Sequence, residues 1–217
     1  MGSVVLKVYL IENPSAEYLE QILLMLPQWR RETAQRFMHN DDKLNCGLSY
    51  LLLQYALYKE CGFFETEQFD FGELGKPYLS KHKDIFFSIS HCRSAVCCCA
   101  GKTEMGVDIQ DIRKYSFRTA KRVCTENELT HLDKAENSDS LFSEIWSVKE
   151  SVGKMTGKGF GEGFPQIDSL LRIKNKSSSV YEAADYFISL TVKDSFEEIE
   201  AEKDDVTFLL SFLQQRL

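Results

Sequence analysis

Two short segments of this sequence carry side chains that could take part in catalysis or ligand binding. In the first segment, a carboxylate follows an apolar strand. Asp108 lies within residues 106–110 (GVDIQ), whose apolar positions predict a short strand. Ligand sites often gather where strands end, and Gly106 would let a ligand or another backbone approach closely. An aspartate at such a position can equally cap a turn. The segment alone therefore leaves both a binding site and a structural turn open.

The second segment places charged side chains and a tryptophan on one face of a helix. Trp146, Glu150 and Lys154 follow one another at four-residue steps, while the apolar residues of the segment form a separate stripe. A glutamate–lysine pair at this spacing is usually solvated and contributes little to stability. A tryptophan is uncommon on a fully solvated face, so the row is better explained as the wall of a cleft.

Two further motifs are weak when taken separately. Residues 75–77 (GKP) predict a turn, and residues 87–91 (FSISH) predict a strand followed by a histidine. A glycine–lysine–proline turn is usually only a turn, and a histidine in this position more often has a structural role than a functional one. Their order along the chain is more informative than either motif.

Taken together, the four motifs resemble the 4′-phosphopantetheinyl transferases of the larger type, which activates surfactin synthetase. That family has GKP, then F-x-I-S-H, then G-[IV]-D-[IV], and then W-[ST]-x-K-E-[AS]-x-x-K roughly forty residues later. The resemblance implies a Mg²⁺-dependent holo-[carrier protein] synthase. In the implied reaction, a serine of the carrier protein attacks the pyrophosphate of coenzyme A, accepts the phosphopantetheine arm and releases adenosine 3′,5′-bisphosphate.

The resemblance also implies which residues form the site. Asp108, Glu150 and Gln110 are expected to hold Mg²⁺, with Gln110 standing where many relatives have an acidic residue. Magnesium binds carboxylates, phosphate oxygens and water, so these residue types suit it. Asp108, Glu150 and Lys154 are expected to be the catalytic residues, and Glu150 is also a candidate for accepting the serine proton. Contacts to coenzyme A are expected from Lys76, Pro77, Ser90, His91, Lys149, Lys154 and Arg30.

Composition restricts the partners and the compartment. The 217-residue chain has a net charge of −7 and no local run of Lys or Arg, which argues against nucleic acid as a partner. Its seven cysteines include no C-x-x-C pair, which predicts reduced thiols in a cytoplasmic protein. No apolar stretch reaches the length of a membrane span. The partners that the family resemblance implies are coenzyme A and an acyl, peptidyl or polyketide carrier protein.

Periodicity predicts an α+β chain. Strands are predicted over residues 4–11, 85–89, 95–100, 105–109, 167–173 and 186–192. Helices are predicted over residues 15–26, from about 27, and over 41–61, 117–123, 126–135, 141–155 and 206–217, with a glycine-rich loop over 157–163. The resemblance implies two similarly folded α+β halves, residues 1–103 with the nucleotide-end contacts and residues 104–217 with the metal and catalytic residues. Such a pseudo-dimer would have its active site in the cleft between the halves and would act as a monomer.

Two other classes of function stay open at this point. A catalytically silent relative could bind a carrier protein or coenzyme A as a regulatory module, although retention of Asp108, Glu150 and Lys154 disfavours it. An unrelated magnesium-dependent nucleotidyl transferase or phosphotransferase is disfavoured because the sequence has neither a P-loop nor a kinase motif.

Overall fold

The structure is a computed structural model that describes residues 5–159, 163–193 and 198–216. The predicted strand start at residue 4, the loop residues 160–162 and the helix end at residue 217 lie outside this described part. The strands are β1 (Val5–Glu12), β2 (Asp70–Phe71), β3 (Pro77–Tyr78), β4 (Phe86–His91), β5 (Ala95–Gly101), β6 (Met105–Asp111), β7 (Ser178–Glu182), β8 (Tyr186–Val192) and β9 (Glu198–Asp204). The α-helices are α1 (Leu19–Met25), α2 (Gln28–Gln35), α3 (Asn40–Cys61), α4 (Phe117–Val123), α5 (Glu126–Lys134), α6 (Ser138–Thr156), α7 (Ser169–Lys174) and α8 (Val206–Gln214).

The two main sheets share one topology. Their strand orders are β4-β5-β1-β9 and β6-β8-β7. In each sheet the first strand leads to a long helix and then to a hairpin whose second strand returns antiparallel to the first, so β1–α3–β4–β5 corresponds to β6–α6–β7–β8. The β2–β3 hairpin and α7 are inserted at the same point of the two units. This repetition confirms the predicted α+β fold of two similarly folded halves.

The end of the chain returns to the first sheet. Strand β9 pairs in parallel with β1, and α8 buries Leu209, Leu210 and Leu213 in the core around α3. The predicted division at residues 103 and 104 falls between β5 and β6, whereas this last segment joins the sheet of the first half. The first half is therefore built from both ends of the chain.

Each face of the first sheet has its own core. On β1, Tyr9 and Ile11 pack against α3, while Val8 and Leu10 face the second sheet. The same alternation divides the three consecutive cysteines, because Cys98 belongs to the α3 core and its two neighbours belong to the core between the sheets. All seven cysteines are free thiols.

Of the helices in the described ranges, none combines the length and apolar content needed to cross a membrane.

One predicted element is wrong. Residues 167–173 alternate like a strand, but the structure forms α7 there, and the Asp168 side chain caps it by accepting a hydrogen bond from Leu171 N. The preceding Phe164–Gln166 turn is a 3₁₀ helix. Capping satisfies a backbone donor at the start of a helix, which the apolar pattern alone does not reveal. Strands β7 and β9 lie in segments for which the sequence pattern predicts no element.

Helix α6 packs unusually close to β6 because of Gly106. A Cβ atom at this position would lie 2.1 Å from the carbonyl oxygen of Ser151 and 2.3 Å from the backbone nitrogen of Met155. Helix α6 also contacts the neighbouring strand β8, where Ser147 Oγ lies 2.5 Å from Ser189 Oγ. The short approach brings Asp108, two residues along β6, next to the face of α6 that carries Glu150 and Lys154.

We expect Gly106→Ala to lower the free energy of unfolding by about 3 kcal/mol or more, because the added methyl group meets backbone that cannot move aside. Gly163→Ala is the matched control, since a Cβ atom there has no heavy atom within 4 Å. Urea unfolding of both variants measures the difference. Equal stability of the two variants would contradict the close helix–strand contact.

Candidate active site

A cleft opens where the two halves meet. It has a volume of about 430 Å³, which is in the range of small-molecule sites. Helix α2 and the strand β4 supply one wall, and the strand β6 and the helix α6 supply the other. The predicted site residues that line this cleft are Arg30, Ser90, His91, Asp108, Gln110, Glu150 and Lys154, together with Trp146.

An ion pair lies at the base of the cleft. Lys154 Nζ is 2.8 Å from Asp108 Oδ1, and their side chains are 29% and 8% exposed. Ser90 of the first half contacts both, with its Oγ 2.6 Å from Lys154 Nζ and 2.9 Å from Asp108 Oδ1. The pair is shielded from water and hydrogen-bonded, so its electrostatic interaction is stronger than that of an exposed pair.

Glu150 brings a second carboxylate to the same cleft. Burial raises the pKa of its carboxyl group, the negative charge of Asp108 raises it further, and Lys154 opposes both effects. Within the described ranges, no hydrogen bond or ion pair to the Glu150 carboxylate is found. Two neighbouring carboxylates, one of them without a neutralising partner in this part of the chain, form an arrangement that favours a cation.

The residues in the cleft fit a magnesium ion. Among the described residues, no group of three or more His, Cys, Asp and Glu side chains could hold a metal. Asp108 and Glu150 supply two carboxylates, and Gln110 lies two residues after Asp108 on the same side of β6. The amide nitrogen of Gln110 donates to Asp111 O at 3.1 Å, a bond that does not use its amide oxygen. Magnesium retains water and binds substrate phosphates, so two protein carboxylates are enough for it.

Cationic and titratable groups line the opposite wall. Arg30 donates through Nη2 to Cys46 O at 2.9 Å, while its buried Nε has no hydrogen-bond partner among the described residues. Poor hydration in the cleft lowers the pKa of His91, and the positive charge of Lys154 lowers it further. An anion bound nearby would favour the protonated imidazole instead. Both side chains therefore line the cleft with a polar group that can carry positive charge.

Lys76 and Pro77 lie beside an adjoining cavity that also reaches Lys154. The Lys76 ammonium donates to Met155 O at 2.7 Å and to Met105 O at 3.3 Å. Burial lowers the pKa of this lysine. Its ammonium group thus connects the GKP turn to the end of α6, and its side-chain stem borders the adjoining cavity.

Lys149 is placed differently from the other predicted residues. Its side chain is 0% exposed and its Nζ lies 2.8 Å from Glu128 Oε2, whose side chain is also fully buried. The ammonium group donates as well to the carbonyl oxygens of Phe164 and Ile167. The prediction that Lys149 contacts coenzyme A is corrected by this placement, because the side chain leaves α6 on the face away from the cleft.

Glu128 is a structural residue that the sequence analysis missed. Its Oε1 accepts from the backbone nitrogen and hydroxyl of Ser169, and its Oε2 accepts from Thr125 N. The available signal was the Thr-x-x-Glu capping box at the start of α5, in which the glutamate bonds back to the helix N-cap. The partner of this glutamate, Lys149, is too distant in sequence for that motif to identify.

The sequence analysis assigned no role to two further cleft residues on and after α2. Thr33 and Phe37 line the cleft together with Arg30. Thr33 lies three residues after Arg30 on α2, and Phe37 follows four residues later, just beyond the end of the helix. This spacing of three and four residues was a usable signal.

Two carboxylates, a lysine held by one of them, and further cations on the facing wall are the groups that phosphoryl transfer requires. The model of the 4′-phosphopantetheinyl transferase superfamily matches residues 104–206. The chain is 30% identical over 156 residues to the 4′-phosphopantetheinyl transferase Sfp of Bacillus subtilis, covering 70% of this chain and 69% of that protein. The chain therefore belongs to the 4′-phosphopantetheinyl transferase superfamily.

Two other phosphopantetheinyl transferases are similar to this chain. The chain is 32% identical over 154 residues to the 4′-phosphopantetheinyl transferase gsp of Aneurinibacillus migulanus, covering 70% of this chain and 63% of that protein. It is 32% identical over 116 residues to the L-aminoadipate-semialdehyde dehydrogenase-phosphopantetheinyl transferase of Saccharomyces cerevisiae, covering 48% of this chain and 43% of that protein. These similarities confirm the resemblance of the four motifs to this family.

We expect Lys149→Met to lower the free energy of unfolding by about 3–5 kcal/mol, because it leaves the buried Glu128 carboxylate without its partner. The control is Lys193→Met, which breaks the exposed pair to Glu104 at 3.0 Å and should cost less than about 1 kcal/mol. Denaturant unfolding gives both values. An unchanged stability of Lys149→Met together with a raised KM for coenzyme A would place this lysine in the cleft after all.

Proposed function

We propose that this chain is a 4′-phosphopantetheinyl transferase that moves the phosphopantetheine arm of coenzyme A to a serine of an acyl, peptidyl or polyketide carrier protein. The observation that carries the proposal is the cleft between the two halves, where the Asp108–Lys154 ion pair and Glu150 face Arg30 and His91. Membership of the superfamily supports the reaction type.

The proposal includes Mg²⁺, held by Asp108 and Glu150 with Gln110 or a water bound to Gln110 beside them. When bound, the ion supplies positive charge to the pyrophosphate oxygens. Burial and, after it, the negative charge of Asp108 raise the pKa of Glu150, and a bound cation would relieve that repulsion, which supports this assignment.

Lys154 is proposed to stabilise the charge that develops during transfer. Its ammonium group is already held by Asp108 and Ser90, so little reorganisation is needed when the substrate binds. The serine oxygen of the carrier attacks the phosphorus next to the pantetheine arm. The bond from that phosphorus to the bridging oxygen breaks, and adenosine 3′,5′-bisphosphate leaves with that oxygen.

Glu150 is proposed to accept the serine proton, directly or through water. Its raised pKa makes its carboxylate a stronger base than an ordinary glutamate at neutral pH. Arg30 and His91 are proposed to bind phosphate oxygens at the nucleotide end of coenzyme A. Lys76 and Pro77 are proposed to border that end from the adjoining cavity.

We also propose that the protein acts as a monomer in the cytoplasm. The two halves place the cleft within a single chain, which supports a monomer. The seven free cysteines support a reducing compartment.

Asp108→Ala and Glu150→Ala should each lower kcat/KM by at least about a hundredfold, because each removes a carboxylate from the proposed metal site. The assay incubates apo-carrier protein, coenzyme A and Mg²⁺ and detects the added phosphopantetheine by intact-protein mass spectrometry. Asp133→Ala, on the exposed face of α5, is the control and should retain full activity. Transfer that continues in EDTA would argue against the metal, and binding of carrier without any gain in mass would indicate a silent relative.

His91→Ala should narrow the preference for coenzyme A over dephospho-coenzyme A, which lacks the 3′-phosphate. The reason is that His91 lies on the cleft wall with Arg30 and can pair with a phosphate when protonated. The preference is the ratio of kcat/KM for the two substrates, with His131→Ala on α5 as the control. An unchanged ratio would move the 3′-phosphate contact to another residue, with Arg30 the first alternative.

A further inference from the structure

Strands β4 and β6 belong to different sheets, and serine hydroxyl groups connect their facing edges. Val107 N donates to Ser88 Oγ at 3.0 Å, and Ile109 N donates to Ser90 Oγ at 3.2 Å. The two serines are two residues apart, so they project from the same side of β4. Their hydroxyl oxygens accept hydrogen bonds from amides of β6. In a continuous sheet, backbone carbonyl groups of the adjacent strand would accept these bonds instead.

Ser90 makes two contacts that Ser88 does not make. Its Oγ lies 2.6 Å from Lys154 Nζ and 2.9 Å from Asp108 Oδ1. The direct Lys154–Asp108 distance is 2.8 Å. The three side chains therefore form a closed triangle in which one corner comes from the first half of the chain and two come from the second.

The hydrogen-bonding capacity of Ser90 is fully used. A hydroxyl group has one proton to donate and two lone pairs that can accept. Both Ile109 N and Lys154 Nζ are donors, so the single hydroxyl proton goes to Asp108 Oδ1. The residue is also only 6% exposed. Little capacity remains for a direct contact to coenzyme A.

We propose that Ser90 is a positioning residue that fixes the orientation of the Asp108 carboxylate and the Lys154 ammonium across the joint between the halves. This inference rests on the proposed function of the cleft. By holding Oδ1 of Asp108, Ser90 sets the direction in which Oδ2 points. By accepting from Lys154, it holds the ammonium group at the cleft beside Asp108.

The inference differs from the expectation that Ser90 binds coenzyme A. A ligand of coenzyme A would change the binding of that substrate, which appears in KM. A positioning residue would change the arrangement of the reacting groups, which appears in kcat and in the affinity for the metal.

Ser88→Ala is a matched control for Ser90→Ala. The two serines lie on the same strand, are 7% and 6% exposed, and each accepts from one β6 amide. Both variants lose one connection between the sheets. Only Ser90→Ala loses the contacts to Asp108 and Lys154 as well.

The experiment measures kcat and KM for coenzyme A with apo-carrier protein in the wild type and both variants. It also measures Mn²⁺ affinity without turnover, from the electron paramagnetic resonance signal of free Mn²⁺. Ser90→Ala should lower kcat at least about tenfold, change KM for coenzyme A less than about twofold, and weaken Mn²⁺ binding about threefold or more. Ser88→Ala should leave all three within about twofold of the wild type.

Ser90→Cys keeps the shape of the side chain with a slightly larger atom in place of the oxygen, and it is the second variant to use if the alanine variant does not fold. Because a thiol is a weak donor and acceptor, it should show the same loss of kcat and of Mn²⁺ affinity. Thermal unfolding of all variants controls for stability.

The inference is overturned if Ser90→Ala raises KM for coenzyme A at unchanged kcat, since Ser90 is then a direct ligand. It is also overturned if Ser88→Ala and Ser90→Ala lose kcat equally, or if Ser90→Cys keeps full kcat and Mn²⁺ affinity. An inactive wild type would instead refute the proposed function, and the Mn²⁺ measurements would still report on the role of Ser90.

Discussion

The contact between β6 and α6 at Gly106 is the constraint on which the rest of the site depends. A side chain at this position would overlap the backbone of Ser151 and Met155, so only glycine allows the helix to lie so close to the strand. The short distance lets a carboxylate on the strand and a lysine on the helix form an ion pair without long side-chain excursions. The geometry of the ion pair therefore follows from backbone packing before any side chain is oriented.

The way in which the two halves meet leaves room for the cleft. The sheets share a hydrophobic core, but their neighbouring edges at β4 and β6 are connected through serine hydroxyls. Side-chain hydrogen bonds at an edge leave space for a cleft, which a continuous backbone ladder would close. The cleft then takes charged groups from both halves, and cationic side chains line it although the chain has a net charge of −7.

Two lysines of α6 show how position on a helix decides a role. Lys149 and Lys154 are five residues apart, and the family motif contains both. Five residues correspond to about 500° of rotation, so the two side chains leave the helix in different directions. Lys154 reaches the cleft, whereas Lys149 is enclosed with Glu128 and fixes the segment around Phe164 and Ile167. The motif identifies both residues but does not distinguish a lysine that lines the cleft from a buried structural one.

The sequence by itself determined the α+β class, the long helices α3 and α6, and the row formed by Trp146, Glu150 and Lys154, because these depend on local periodicity. It also determined the family, through four short motifs in a fixed order. Only the tertiary structure decided the pairing of β9 with β1, the burial of Lys149 against Glu128, and the triangle of Ser90, Asp108 and Lys154. These contacts join residues that are far apart in the chain, and no local pattern contains the packing distances that bring them together.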